Sequence, residues 1–351
     1  MKMLAAAPGT ITVDPRHDPL WSALAEGTRG GLFVSPPWIS AVCATYGFTP
    51  LARIAHDEMG DPLGGIAWVP VHDFRGKRLC SLPFSDWADP ICADERTWSL
   101  LSDGLITSNV PFFLRCRTSE VPVGDPRLQR SGEVAWHAMR LDTSVDDVFA
   151  RFSSSARRRI RHAEREGVRV EAHLGIEGVR TFQRLQLDLR KRKFRMLSQP
   201  VAFFEAVWAQ FSRRESIVTL LATVDGEPIA GIVFLIWNNV MHSKFAASRP
   251  EYRAWGANDA LYGAGVRWGV EHGLSVVDWG ISDYDQPGLI GFKEKYSSER
   301  GRVVSLRSTA RTAAEMETSR ALRELTTLLT EQSVPDAITE AAGATLYRYF
   351  C

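Results

Sequence analysis

A heptapeptide occurs twice in this chain, as GDPLGGI at Gly60 to Ile66 and as GEPIAGI at Gly226 to Ile232, and no other feature limits the possible folds as much. Four of the seven positions are identical and the other three are conservative exchanges. Each copy follows a strand-like run (LARIAH; IVTLLATV) and precedes another (IAWVPVHDF; IVFLIWNNV). Apolar runs on both sides of a segment containing Gly and Pro predict a β-hairpin. Hairpins of similar design reuse these residues, but matching flanks favour duplication of a whole unit.

The flanking elements keep the same order in both halves. DPLWSALAEG after Asp18 and SPPWISAVCATYG after Ser35 predict capped helices, with Pro36 at a first helical position. In the second half EGVRTFQRLQLDLRKRKFR and PVAFFEAVWAQFSRR precede the hairpin, with Val179, Phe182, Leu185 and Leu189 on one stripe. Beyond the second hairpin the pattern predicts a strand (VMHSKFAAS), a helix from Asn258 to about His272, a strand (SVVDWGIS), a short helix from Gly288 and a final strand (RVVSLR). The fold class is therefore α/β, with mixed sheets covered by helices. A length of 351 residues fits two domains, expected at 1–144 and 145–351. Ser144 to Gly167 predicts two short helices, with Ser153 to Ser155 as an internal cap and Gly167 as a stop, and the tail after 308 is expected to be helical.

Several function classes are disfavoured. The five cysteines are scattered and form no CxxC pair, and the eight histidines form no HxxxH cluster, so neither a disulfide framework nor a metal site is expected. His242 is expected to be a hydrogen-bonded core residue. In the opening MKMLAAAPGTITVDPRHDP the apolar stretch ends at Pro8, too brief for the apolar region of a secretory leader, and no window approaches a membrane span, so a soluble cytoplasmic protein is expected. No GxxxxGK[ST] loop indicates ATP use.

The net charge of +1 conceals an asymmetry. Residues 151–200 hold 14 Lys and Arg against 5 Asp and Glu, a balance of 14 − 5 = +9, which leaves 1 − 9 = −8 elsewhere. Arg157, Arg158, Arg159 and Arg161 fall on one predicted helix, and Arg190, Lys191, Arg192, Lys193 and Arg195 end the next. Charge runs are commonly solvated surface, and cations are favourable at a helix C-terminus. So dense a positive segment also suits the phosphates of a nucleic acid, and Arg157, Arg158, Arg159, Arg161, Arg192 and Lys193 are the candidate contacts.

Five blocks carry a family resemblance: SLPFSDWADP from Ser81, SSSARRRIRHAEREGVRV from Ser153, GANDALYGAGVRWGVEHG from Gly256, VVDWGISD from Val276 and GLIGFKEKYS from Gly288. With them the chain, over about residues 15–350, resembles the Fem-like transferases, tandem domains of the GNAT acetyltransferase fold. The resemblance implies transfer of an amino acid from aminoacyl-tRNA, as co-substrate, to an amine on a peptidoglycan precursor or, as in some relatives, to a small natural-product amine. It places Phe292 and Lys293 of GLIGFK beside the reacting ester, Phe292 as wall and Lys293 as the cation that meets developing negative charge. The amine attacks directly, since no Ser/His/Asp or Cys/His signature supplies a nucleophile. Asp86 and Asp283, each beside an aromatic (Trp87, Tyr284), are the candidates for orienting or deprotonating the ammonium, with Ser282 among the substrate-binding residues; Asp in such loops also serves turns.

An acyl-CoA donor is the alternative. Related acetyltransferases hold its pyrophosphate in (Arg/Gln)-x-x-Gly-x-(Gly/Ala) at a helix start, and the matching stretch here, Arg253 to Asn258, departs at its last position, where Asn258 instead suits a helix cap. A non-catalytic binding module is the third possibility, against which the intact GLIGFK block stands.

Overall fold

The computed structural model describes residues 9–351, so the first eight residues of the leader reading lie outside the described residues. The first half of the chain runs β1 (Gly9–Val13), α1 (Pro19–Glu26), α2 (Pro36–Tyr46), β2 (Leu51–His56), β3 (Pro62–Asp73), β4 (Gly76–Cys80), α3 (Glu95–Ser102), β5 (Phe112–Cys116), α4 (Glu120–Val123) and β6 (Gln129–Arg140). The second runs α5 (Val145–Arg151), α6 (Ser154–Arg165), β7 (Arg169–His173), α7 (Ile176–Leu189), α8 (Val201–Phe211), β8 (Ile217–Val224), β9 (Glu227–Trp237), β10 (Val240–Ser248), α9 (Ala257–Glu271), β11 (Val276–Ser282), α10 (Pro287–Glu294) and β12 (Glu299–Arg307), and ends in α11 (Ala313–Leu329) and α12 (Asp336–Leu346). The caps form as expected from the side chains: Asp18 accepts from the Leu20 and Trp21 amides, Ser35 from Trp38, and Ser153 from Ala156. Gly167, with φ 82°, follows α6.

The chain forms two compact units. One holds the residues up to Val134 with 302–316 and Cys351; the other holds 135–301 and 317–350. The sheet of the first unit joins β1, β2, β3 and β4 antiparallel, β4 to β5 parallel, and β5 to β12 antiparallel. The sheet of the second joins β7, β8, β9 and β10 antiparallel, β10 to β11 parallel, and β11 to β6 antiparallel. The two sequences of strand directions are the same. The last strand in each is exchanged: β6 follows β5 in the chain but pairs with β11, and β12 follows β11 but pairs with β5. A single cut near residue 145 therefore parts each sheet from its sixth strand.

The repeated heptapeptide occupies equivalent places. Ile54 pairs with Gly65 and Leu221 with Gly231, and the register then shifts at the same step, between Ala55 and His56 in one hairpin and Ala222 and Thr223 in the other. Pro62 and Pro228 sit at these shifts rather than in the turns, because a residue without an N–H fits where the ladder is interrupted. The turns themselves differ: Asp225 and Gly226 are both left-handed, a two-residue hairpin turn, whereas the first copy spans 57–61 with Gly60 at φ 91°.

The last glycine of each copy has a packing reason. A Cβ on Gly65 would lie 2.7 Å from the ring of Trp21 on α1, and one on Gly231 would lie 2.9 Å from Leu221 and 3.2 Å from Phe182 on α7. Both positions let an aromatic of a covering helix, Trp21 of α1 or Phe182 of α7, rest on the hairpin backbone. Trp21 is fully buried and its indole N–H donates to the Val34 carbonyl at 3.0 Å, so it cannot move aside. Gly65→Ala is expected to destabilise the protein by about 1–3 kcal/mol, read as a lower denaturant midpoint at unchanged slope; an unaltered midpoint would show that Trp21 can shift.

In the second unit, α5, α6 and α9 cover one face of the sheet over a core that includes Val148, Ile160, Phe234, Leu261, Val277 and Trp279. Phe182 of α7 and Phe203 and Phe204 of α8 gather around Phe245 with ring centroids 5.1–6.5 Å from it.

Candidate active site

The second unit contains a fork. β10 and β11 run parallel but pair only from Val240 to His242 and from Val276 to Asp278, after which they part. Irregularities on both strands open it: β10 shifts register between Ser243 and Phe245, and β11 places extra residues between Asp278 and Ile281 against β6. Gly280 takes a left-handed conformation there, φ 71°, which a residue with a Cβ adopts only under strain. Asp278 holds the distortion. One carboxylate oxygen accepts the Gly280 amide at 2.7 Å; the other accepts the Trp136 indole N–H at 3.0 Å and lies 3.5 Å from His242 Nδ1. His242 is thus a buried strand residue beside a carboxylate.

Beyond β11 the chain turns into α10, with Pro287 at its start. Lys293 does not point into water: it is 6% exposed and its ammonium donates to the Ile281 carbonyl at 2.8 Å. Phe292 meets Tyr262 edge-on at 4.9 Å, and Tyr262 stacks on Trp279 at 4.1 Å. Tyr296 closes the aromatic wall, donating its hydroxyl to Asp259 at 2.6 Å. Burial pushes the Tyr262 and Tyr296 phenols well above their ordinary range, helped at Tyr296 by the Asp259 carboxylate, so neither is a proton donor of useful strength near neutrality.

Of the residues anticipated from sequence, Ser282, Asp283, Tyr284, Phe292 and Lys293 come together between the end of β11 and α10. Ser282 is buried, while Asp283 and Tyr284 are exposed. Asp86 and Trp87 belong to the first unit. Trp87 is buried there, edge-on to Phe33 at 4.9 Å with the Arg117 guanidinium 5.2 Å from its ring, and it lines a cavity of about 460 Å³ together with Arg29, Phe33, Cys92 and Ser119. Asp89, on the same wall, accepts the amides of Arg117, Thr118 and Ser119, the last at 2.7 Å, and so occupies the backbone donors that follow β5 with a carboxylate of the chain itself.

Sequence reasoning missed His137 on β6. It is 2% exposed, lies opposite the distorted stretch of β11, and its buried Nδ1 has no hydrogen-bond partner among the described residues. Burial, and next the nearby Lys293 ammonium, hold its pKa below the usual histidine value, so the imidazole is neutral at physiological pH. The lone Gly280 within an apolar strand run was the one sequence signal for the distortion.

The basic segment divides. Arg157 donates to the carbonyls of Ala150 and Phe152 at the end of α5, and Arg159 to those of Arg253 and Ala254. Lys191 is buried, with its ammonium on the Val334 carbonyl and Asp336, and Arg192 pairs with Asp188 and Asp336. Lys193 is exposed, 5.1 Å from the Phe194 ring. Arg158, Arg161 and Arg165 form one exposed stripe along α6 with no ion pair among the described residues. In the stretch from Arg253 to Asn258, Gly256 at φ 78° leads into α9, and Asn258 donates to Ser248 rather than capping the helix.

Among the described residues no group of three or more His, Cys, Asp or Glu is arranged to hold a metal ion, and no helix is long and apolar enough to cross a membrane.

A family profile described as an acetyltransferase (GNAT) domain matches residues 150–296. No curated protein sequence matches the chain. Among solved structures, FemX superposes with a TM-score of 0.66 at 12% identity, over 89% of this chain and 100% of its own. A tandem GNAT protein from the clavulanic acid biosynthesis pathway gives 0.52 at 12% identity, over 87% of this chain and 100% of its own. The C-terminal domain of a putative lysylphosphatidylglycerol synthetase from Agrobacterium fabrum gives 0.52 at 12%, over 81% and 91%. At such identities the likeness establishes the fold. The chain is a mixed α/β protein of two tandem GNAT-like units, and its resemblance to the Fem-like transferases holds at that level.

Proposed function

We propose that this chain is an acyltransferase that forms an amide by direct attack of an amine on an activated acyl group, and that the donor is an aminoacyl-tRNA. The observation that carries this reading is Lys293, a buried cation held at the open end of the fork within the part of the chain that matches a GNAT domain. A fixed ammonium shielded from water stabilises an oxyanion far better than a solvated one does. Phe292 shapes the wall of the acyl pocket. Asp283, exposed at the end of β11, orients the incoming ammonium, and Trp87, with Asp86 beside it in the chain, is a binding residue of the first unit's own cavity. A peptidoglycan precursor or a natural-product amine is the acceptor class in keeping with the fold, and the cytoplasm is where aminoacyl-tRNA would be met.

Support for tRNA comes from the stripe of Arg158, Arg161 and Arg165, whose cations are not committed to the protein, joined by Lys193; Arg157, Arg159 and Arg192 contribute through the helix surface they help to build. Replacing the three stripe arginines with alanine is expected to weaken tRNA binding and flatten its log–log salt dependence by about 2–3. Unchanged binding across a salt titration would make α6 ordinary surface.

Acyl-CoA is the second reading, favoured by Gly256 opening α9 with a left-handed turn where related acetyltransferases cradle pyrophosphate. The deciding experiment incubates the protein with labelled aminoacyl-tRNAs and, separately, labelled acyl-CoAs, each with a panel of amines. Consumption of acyl-CoA alone overturns the tRNA reading, and no turnover with either donor overturns the enzyme.

A further inference from the structure

Two buried polar atoms near Lys293, His137 Nδ1 and Ser282 Oγ, have no hydrogen-bond partner among the described residues. Their residues are 2% and 3% exposed. Native proteins rarely leave such groups orphaned, because each forfeits its hydration without return. The register brings the two together. Ser282 pairs with Ala135 across the antiparallel ladder, so the two side chains project from the same face, and His137, two residues further along β6, shares it. The place opposite His137 falls in the β11 distortion, where Gly280 contributes no side chain. Lys293 completes the group: its ammonium is on the carbonyl of Ile281, the neighbour of Ser282, and is close enough to His137 to disfavour the imidazolium. Glu294 and Arg300 are the other charges that bear on His137.

We propose that His137 and Ser282 act with Lys293 as the donors that receive the oxygen of the tetrahedral intermediate, an inference that rests on the direct amide formation proposed above. The amine nitrogen bonds to the acyl carbon, and the carbonyl electron pair moves onto oxygen. That oxygen takes the N–H of a neutral imidazole protonated on Nδ1, the Ser282 hydroxyl and the Lys293 ammonium. The pair then returns as the bond to the donor's leaving oxygen breaks, and the proton lost by the nitrogen ends on that leaving group. The Lys293 ammonium keeps one N–H on the Ile281 carbonyl and turns a second to the oxygen. Energy stored in two unsatisfied groups is then released only when charge develops on the oxygen, which is where a catalyst needs it.

The test sets stability against turnover in Ser282→Ala, His137→Leu and His137→Asn, measured in the full chain with the donor and amine that the wild type uses. Ser282→Ala removes an orphan, so its unfolding midpoint should hold or rise by about 1–3 °C while kcat falls about a hundredfold. His137→Leu should lose turnover likewise. His137→Asn should recover part of it, because an amide nitrogen can stand where Nδ1 does and cannot act as a base. Full turnover in Ser282→Ala, or a falling midpoint, overturns the proposal, as does the absence of rescue by Asn. Wild type that transfers no acyl group overturns the reading beneath it, whereas active wild type with equally active variants overturns this inference alone.

Discussion

Lys293→Met lowers the rate of amide formation by about a hundredfold to a thousandfold, equivalent to about 3–4 kcal/mol of lost transition-state stabilisation, and leaves the fold standing. Methionine matches the length of the lysine stem and packs adaptably, so the wall of Phe292, Tyr262 and Tyr296 keeps its support. What disappears is the charge. The Ile281 carbonyl loses the ammonium that it accepts, at a cost to stability of about 1–3 kcal/mol, too little to unfold a domain of ordinary stability. Because the cation meets an oxygen that is negative only in the transition state, the loss should fall on kcat rather than on KM. Near-wild-type kcat with the true donor and amine would reduce Lys293 to a packing residue and move the chemistry toward Asp283. A second substitution, Lys293→Gln, guards against misfolding, since it restores a neutral donor and should recover little of the rate.

The parts of this fold that were legible in the sequence are the local ones. Caps at Asp18, Ser35 and Ser153 follow from a side-chain oxygen within reach of the next free amides, and the two hairpins follow from apolar runs around Gly and Pro. The role of Pro62 and Pro228 was not legible, because whether a proline sits in a turn or at a register shift depends on the partner strand. Lys191 shows the same limit: within a basic run it has the look of surface, and only the docking of the segment after α11, which brings Val334 and Asp336 over it, makes it a buried cation. In the candidate site, Lys293 and Ser282 sat in motifs, whereas His137 acquires its meaning from pairing with β11, more than a hundred residues away in the chain.

That pairing leads to the other large effect. Produced separately, residues 1–144 and 145–351 should each fail to give a cooperative unfolding transition, and together they should reconstitute a folded protein. The first fragment carries β5 but not β12, so the edge of β5 loses the four register pairs from Val304 to Arg307. It also loses Val304 and Leu306, both buried against Phe112, Leu114 and Leu128 in one core. Two buried aliphatic side chains are worth about 3–6 kcal/mol, a large part of the stability of a typical domain. The second fragment lacks β6, and with it Met139 from its core and the indole of Trp136 that holds Asp278 at the fork. Asp278 then loses one of the partners that fix the Gly280 conformation, so the site suffers even where the helices survive. A fusion that appends residues 302–316 by a flexible linker to 1–134 separates the missing strand from mere truncation as the cause: it should restore a cooperative transition to the first unit by itself. Either half unfolding cooperatively without its exchanged strand, by circular dichroism and by dispersed amide resonances, would show that β6 and β12 decorate two self-sufficient domains rather than complete them.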